Sequence, residues 1–416
     1  MPSRTMPSPA TRASCATMHT AMRSISRSMC SAGVTALLAA GCLSTPPFQP
    51  ESGLKYTANG PGGTVAGPGF ELQFSRDPGI RFPDALRIDG TDVLGHETMP
   101  GCFGTDEAGI LIAPTPRISA HGGALPVKNQ LVAGLLGPAV VQVVLEWATR
   151  MACSLSRTPS GTSTFTVFPD GRIVRYDQLF DSSSAEVSAN ECACDRNADG
   201  SDGFTVATFW TLARQGFVDL RPFAQDGNLP APGVTASSNV DSACLGGSAY
   251  QVAFAWPDPT STSIVGGNAI IAFARDMLYR DSRLDPYTWD NSTAIFIERS
   301  GCDAALARAD EHVRPRPLML NGETIVPSAR DGIYGSVAGD GEHGVVLAAN
   351  RAELTGTTHG SFAVWLRFPH ATDALRATLD GKTGPWYLPQ RVDDRAWLVW
   401  FRDPISTGQT IVIEPR

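Results

Sequence analysis

The sequence is poor in helical pattern, in lysine and in the short motifs that announce most enzyme classes. Beyond residue 41 its histidines are His96, His121, His312, His343, His359 and His370, and none forms His-x-His or His-Glu-x-x-His. A helix-borne zinc hydrolase site therefore has no support. Gly246-Gly247-Ser248-Ala249-Tyr250 stops one glycine short of a nucleophile elbow. A Walker loop and a dinucleotide fingerprint in a βαβ setting are also missing, which argues against nucleotide as a partner. Lysine occurs only at Lys55, Lys128 and Lys382, a skew that a G+C-rich genome explains. Beyond residue 41 there are 29 basic and 41 acidic side chains, a net charge of −12. That balance argues against nucleic acid, whose affinity comes largely from neutralised phosphates, and against a polybasic membrane patch.

What is present begins with an export pattern. Residues 1–41 hold four arginines and no carboxylate, and an apolar run from Val34 ends in Gly41-Cys42. A basic region, a short apolar region and small residues at the cut describe a secretory signal, about 20 residues long when counted from Met22. The run is too short to span a bilayer, which takes about 20 apolar residues. Leu37-Leu38-Ala39-Ala40-Gly41-Cys42 resembles the lipobox of bacterial lipoproteins, with Ala39 where that family most often has leucine. The resemblance implies cleavage before Cys42 and a lipid on that cysteine. The membrane is then a partner through the anchor. Leu43, in place of a retaining aspartate, favours the outer membrane.

Six cysteines follow the lipidated one: Cys102, Cys153, Cys192, Cys194, Cys244 and Cys302. An even number in an exported chain points to disulfides, with 15 connectivities open. Cys192 and Cys194 are poor partners for each other, because one intervening residue makes a strained ring. A zinc site is disfavoured, since no second close Cys or His pair stands at finger-like spacing.

Residues 42–69 are rich in proline and glycine and read as a tether between the lipid and the body. The rest is dominated by short β-like runs between turn residues, which predicts an all-β protein of tandem, disulfide-linked sandwich domains. One region of one or two domains covers 70–312, and a C-terminal sandwich of six or seven strands covers 317–416, after the boundary Arg314-Pro315-Arg316-Pro317. The clearest hairpin joins Thr164–Phe168 to Arg172–Tyr176 through Pro169-Asp170-Gly171. Asp303–Glu311 is the best helix, alanine-rich, with Asp303 as its cap.

The best chemical motif is Asp195-Arg196-Asn197-Ala198-Asp199-Gly200-Ser201. Oxygen side chains at loop positions 1, 3 and 5 and glycine at 6 suit Ca2+, with the Ser201 carbonyl at 7 and Asp202, Glu191 or a distant carboxylate to complete the shell. The segment resembles the first half of EF-hand, dockerin and thrombospondin type 3 calcium loops. It departs from them at position 12, where Val206 replaces the bidentate carboxylate. The role implied is structural. An ordinary Asp/Asn/Gly turn is the alternative.

Most tryptophans fall in strand-like runs and read as core. Trp289, Trp386 and Tyr387 sit in turn-like contexts, where exposed rings can stack on sugars. The function expected is a cell-envelope lipoprotein that binds a glycan or another envelope partner. One rival is a polysaccharide lyase or hydrolase, with Arg172, Arg175, Tyr176 and Asp177 as first suspects or as the outer face of an ordinary strand. A structural or adhesion subunit is the other rival.

Overall fold

The computed structural model describes residues 53–60, 62–74, 83–94, 109–115, 125–150, 160–181, 203–221, 228–232, 235–238, 240–257, 262–266, 270–281, 287–336 and 344–416. The signal with Cys42, the calcium-loop residues Asp195, Asn197, Asp199, Ser201 and Asp202, and Cys102, Cys153, Cys192 and Cys194 lie outside these residues. Where described, the chain is all-β with one helix, arranged as tandem sandwiches.

Part of the expected tether is instead a sheet. Lys55–Asn59, Gly62–Gly67 and Phe70–Phe74 pair in sequence order and continue into Ala85–Ile88 and Thr91–Asp92. The apolar side chains that make this possible are Val65, Phe70, Leu72 and Phe74, all buried and three of them spaced by two along one strand. Glycine and proline content pointed to disorder, but this alternation outweighs it.

An eight-stranded antiparallel sheet organises the rest. Its centre is Tyr287–Glu298 beside Arg172–Asp181 and Ser160–Val167, flanked by Gln251–Ala255 and Val141–Arg150. Each face is covered. On one, Phe74 and Trp210 pack edge-on against Phe165, at 5.1 and 6.2 Å between ring centres. Trp210 belongs to Gly203–Ala213, in a second five-stranded sheet, so this side is a sandwich core. On the other, Val174, Ala253, Ala255, Ala294 and Phe296 meet the helix Cys302–Val313 through its Ala305 and Ala309. Alanine on both partners lets the helix lie close to the sheet. Its N-cap is Gly301 with no side-chain bond, and Asp303 stands in the first turn, favourable to the helix dipole but not the expected cap. The disulfide Cys244–Cys302 fastens the helix start to strand Ser242–Gly247.

Among the described residues the C-terminal strands number nine rather than six or seven, in sheets of five and four. Their own core gathers Leu354, Phe362, Val364, Val399, Phe401 and Ile413. Phe362–Arg367 and Ala396–Phe401 do not alternate with polar residues, because both their faces are buried. Phe362, Val364 and Phe401 face inward, while Ala363, Trp365, Leu398 and Trp400 face the helix and the large sheet. Strands read as continuous apolar runs when both faces are covered. Gln390 seals the same seam: its buried Oε1 accepts from the amides of Ala139 and Val140 at 3.1 and 2.9 Å. Residues Pro50–Arg416 are accordingly one compact unit.

Candidate functional site

Three segments converge where the hairpin, the helix and the C-terminal sandwich meet. Between Ser160–Val167 and Arg172–Asp181 the chain turns through Phe168-Pro169-Asp170-Gly171, closed by the Gly171 amide on the Phe168 carbonyl at 3.1 Å. Proline supplies its fixed φ, and Gly171 takes φ +80°, a conformation other residues resist. The turn presents the Asp170 carboxylate to the helix. Arg308 donates to it at 2.6 Å and to Glu298 at 3.3 Å. From the C-terminal sandwich the Ser361 hydroxyl also donates to Asp170, and the His359 amide donates to both oxygens of Glu311 at 2.9 Å.

Beside these contacts lies a cavity of about 240 Å³, lined by Asp170, Arg172, Arg308, Glu311, His312 and Tyr334, with Phe296 and Phe362 supplying apolar wall. Arg172 stacks its guanidinium over Phe168 at 3.8 Å, and its Nε and Nη2 are buried without a hydrogen-bond partner among the described residues. His312 Nε2 is in the same condition. The loop Ser328–Tyr334 closes another side. Gly332, at φ +70°, comes so close that an added Cβ would sit 3.2 Å from Val174 Cγ2. Tyr334 is held by its amide on Ala363 at 2.9 Å and its hydroxyl on the Arg316 carbonyl at 2.7 Å.

The electrostatics move Asp170, Glu298, His312 and Tyr334 away from neutral pH, while burial lowers Arg172 against the charge of Asp170. Burial pushes the Asp170 carboxyl up, but the charges of Arg308 and Arg172, with bonds from Ser361 and the Arg172 amide, hold it below its ordinary value. Glu298 is lowered against its burial by Arg308, Ser300 and neighbouring amides. Burial, with the Arg172 charge adding to it, drops His312 to about 3. Burial and then Glu311 raise Tyr334.

The four suspects of the hairpin strand divide between its faces. Arg175 and Asp177 are fully buried in the sandwich core, where Arg175 Nε reaches Asp177 Oδ2 at 2.9 Å and Ser163 donates to Oδ1. Arg172 and Tyr176 lie on the opposite face, with the Tyr176 hydroxyl on Asp290 at 2.8 Å and Arg330 over its ring at 5.0 Å. Tyr176 is pushed up to about 12, by burial first and then by Asp290. No single substrate can meet all four, and the strand is no ordinary outer face. Trp386 stacks on Phe401 at 5.7 Å and tilts against Tyr387, both rings half-buried on the C-terminal core. Trp289 lies within strand Tyr287–Glu298, opposite Leu179, and not in a turn.

Sequence reasoning placed Arg172 but not Asp170, Arg308, Glu311, His312, Tyr334 or Ser361. Asp170 was legible only as a turn residue, and the others come from distant segments with no shared spacing. The available signal was indirect: a strand as apolar as Ala396–Phe401 must be covered on its second face, so some neighbouring segment has to meet it.

No family model matches the chain, and no curated protein matches it. Among solved structures it is similar to a galactose mutarotase related enzyme from Lactobacillus acidophilus, at 8% identity and TM-score 0.34 over 59% of this chain and 97% of that one. It is also similar to heparan sulfate lyase HepC from Pedobacter heparinus, at 9% identity and TM-score 0.31 over 57% of this chain. The match spans 33% of that lyase. At these scores the likenesses carry no argument about function.

Proposed function

We propose that the chain is a lipid-anchored protein of the cell envelope whose β body binds a glycan of its surroundings. The lipobox-like segment ending at Cys42 supports the anchor. One observation favours binding over chemistry: the carboxyl, imidazole and phenol of the cavity with resolved shifts, Asp170, His312 and Tyr334, are each driven away from neutral pH, while burial lowers Arg172 from its high ordinary value. A general acid or base works best with a pKa near the working pH. Asp170 is held ionised, Tyr334 protonated and His312 neutral, which suits fixed hydrogen bonding and not proton transfer. The Asp195–Asp202 segment would hold a structural Ca2+, tested by a rise in melting temperature that Asp199→Ala removes.

The test is a glycan-array measurement on the full chain, solubilised in detergent, with and without calcium, together with labelled-palmitate incorporation in cells. Saturable glycan binding without turnover, and label lost in Cys42→Ser, are the expected results. Cleavage of a bound polysaccharide would turn the reading to the enzyme. Absence of any glycan binding would end it.

A further inference from the structure

We propose that Asn59-Gly60 is a site of spontaneous deamidation, at which the chain ages into aspartyl and isoaspartyl forms, while the fold shields Asn321-Gly322. These are the two Asn-Gly pairs of the sequence. The chemistry is internal to the dipeptide. The amide nitrogen of the glycine attacks Cγ of the asparagine and gives up its proton, and Nδ2 leaves as ammonia. A five-membered succinimide ring results. One water then opens the ring at either carbonyl. Opening at Cγ gives aspartate, and opening at the main-chain carbonyl leaves the chain running through Cγ as isoaspartate. The balance is amide plus water to acid plus ammonia, with no oxidant or reductant. Glycine in second position leaves the attacking nitrogen uncrowded, because it has no Cβ.

The two glycines are equally open: an added Cβ would meet nothing within 4 Å at Gly60 or at Gly322. The asparagines differ. Asn321 and Gly322, at φ +51° and +85°, close the two-residue hairpin between Leu318–Leu320 and Glu323–Ile325 as a type I′ turn. The Asn321 side chain is held at both ends by a third segment. Its Nδ2 donates to the Arg351 carbonyl at 3.2 Å, and its Oδ1 accepts from the Glu353 amide at 2.7 Å. Its own amide donates to the Glu353 carbonyl at 2.8 Å. Turning Cγ towards the Gly322 nitrogen breaks both side-chain bonds. Asn59 ends the outer strand Lys55–Asn59, which pairs on one side only, and it is exposed. Among the described residues its side chain makes one bond, from Nδ2 to Thr64 Oγ1 at 2.8 Å. Strand ends at a sheet edge open locally at low cost. The products differ too. Aspartate keeps the backbone length, and its carboxylate can accept from the Thr64 hydroxyl. Isoaspartate adds one backbone methylene where Asn59 stands opposite Gly62, which shifts the pairing.

The experiment is peptide mapping by mass spectrometry on the full chain, aged in mildly alkaline buffer while folded and, in parallel, in urea. In the folded chain Asn59 should lose its amide at least tenfold faster than Asn321. In urea the two rates should come within threefold of each other, since the dipeptides are the same. Thr64→Val removes the hydroxyl that holds Nδ2 and should speed the loss at Asn59 at least twofold, with Asn321 unchanged. Equal rates in the folded chain, or a faster loss at Asn321, would overturn the proposal. A folded rate at Asn59 tenfold or more below its rate in urea would overturn it as well, because the hairpin would then shield this pair too. Hydrogen exchange on the aged chain should show protection of Lys55–Asn59 lost in the isoaspartyl form and kept in the aspartyl form. Equal protection in both would overturn the assigned shift in pairing.

Discussion

Arg308, on the helix, and Asp170, in a hairpin turn 138 residues earlier, meet at 2.6 Å, and Ser361 of the C-terminal sandwich closes on the same carboxylate. Both charged side chains are mostly buried, 16% and 14% exposed. Removing one partner of such a pair leaves an uncompensated charge, which costs about 3–5 kcal/mol in general. Arg308→Met should therefore lower stability by about 3 kcal/mol, since Asp170 keeps its other bonds. Urea denaturation measures it. A loss under about 1 kcal/mol would mean that solvent already screens the pair.

His312 gives the fold a pH dependence whose sign can be worked out. Its folded value, about 3, lies below the ordinary 6.5. Between those limits the unfolded chain binds more protons, so stability falls as pH drops from 6.5 towards 3. Asp170 and Glu298, both lowered, contribute stability that is present above their ordinary values, 3.8 and 4.5, and lost as pH falls through the folded ones. Urea midpoints between pH 7 and pH 5 should decline in the wild type and stay flatter in His312→Gln. Identical slopes would place the imidazole in contact with water.

Gln390 predicts how the C-terminal sandwich is held. Gln390→Leu strips the acceptor from two buried amides, Ala139 and Val140. Each unsatisfied group costs about 1–3 kcal/mol. Calorimetry should show a single transition in the wild type and a lower, broadened or divided one in the variant. Two transitions in the wild type would mean that the seam is not cooperative.

The Cys244–Cys302 bond encloses 58 residues of sequence separation. Chain entropy for a loop of that size is worth about 4 kcal/mol. The Cys244→Ala, Cys302→Ala double variant should lose roughly that amount, with the helix Cys302–Val313 first to exchange its amides. Protection of the helix unchanged from the wild type would show that alanine packing alone secures it.

The hairpin Thr164–Tyr176, the helix and most C-terminal strands were legible because their signals are local: an Asp-Gly turn, an alanine-rich stretch, apolar runs between turn residues. The sheet at 55–74 was hidden because its glycines dominate composition while only Val65, Phe70, Leu72 and Phe74 carry the burial. The site was hidden for another reason. Asp170, Arg308 and Ser361 carry no common pattern, and only the docking of two sandwiches brings them together. Arg172 could be named but not oriented, since strand alternation alone does not say that both faces are covered.

The most direct measurement is hydrogen exchange of the full chain with and without a bound envelope glycan. Added protection should fall on the turn around Asp170, on the helix near Arg308–His312, and on the segments around Gly332 and Ser361. Protection confined elsewhere, such as the Trp386–Tyr387 segment, or none at all with glycan demonstrably bound, would contradict binding at the seam.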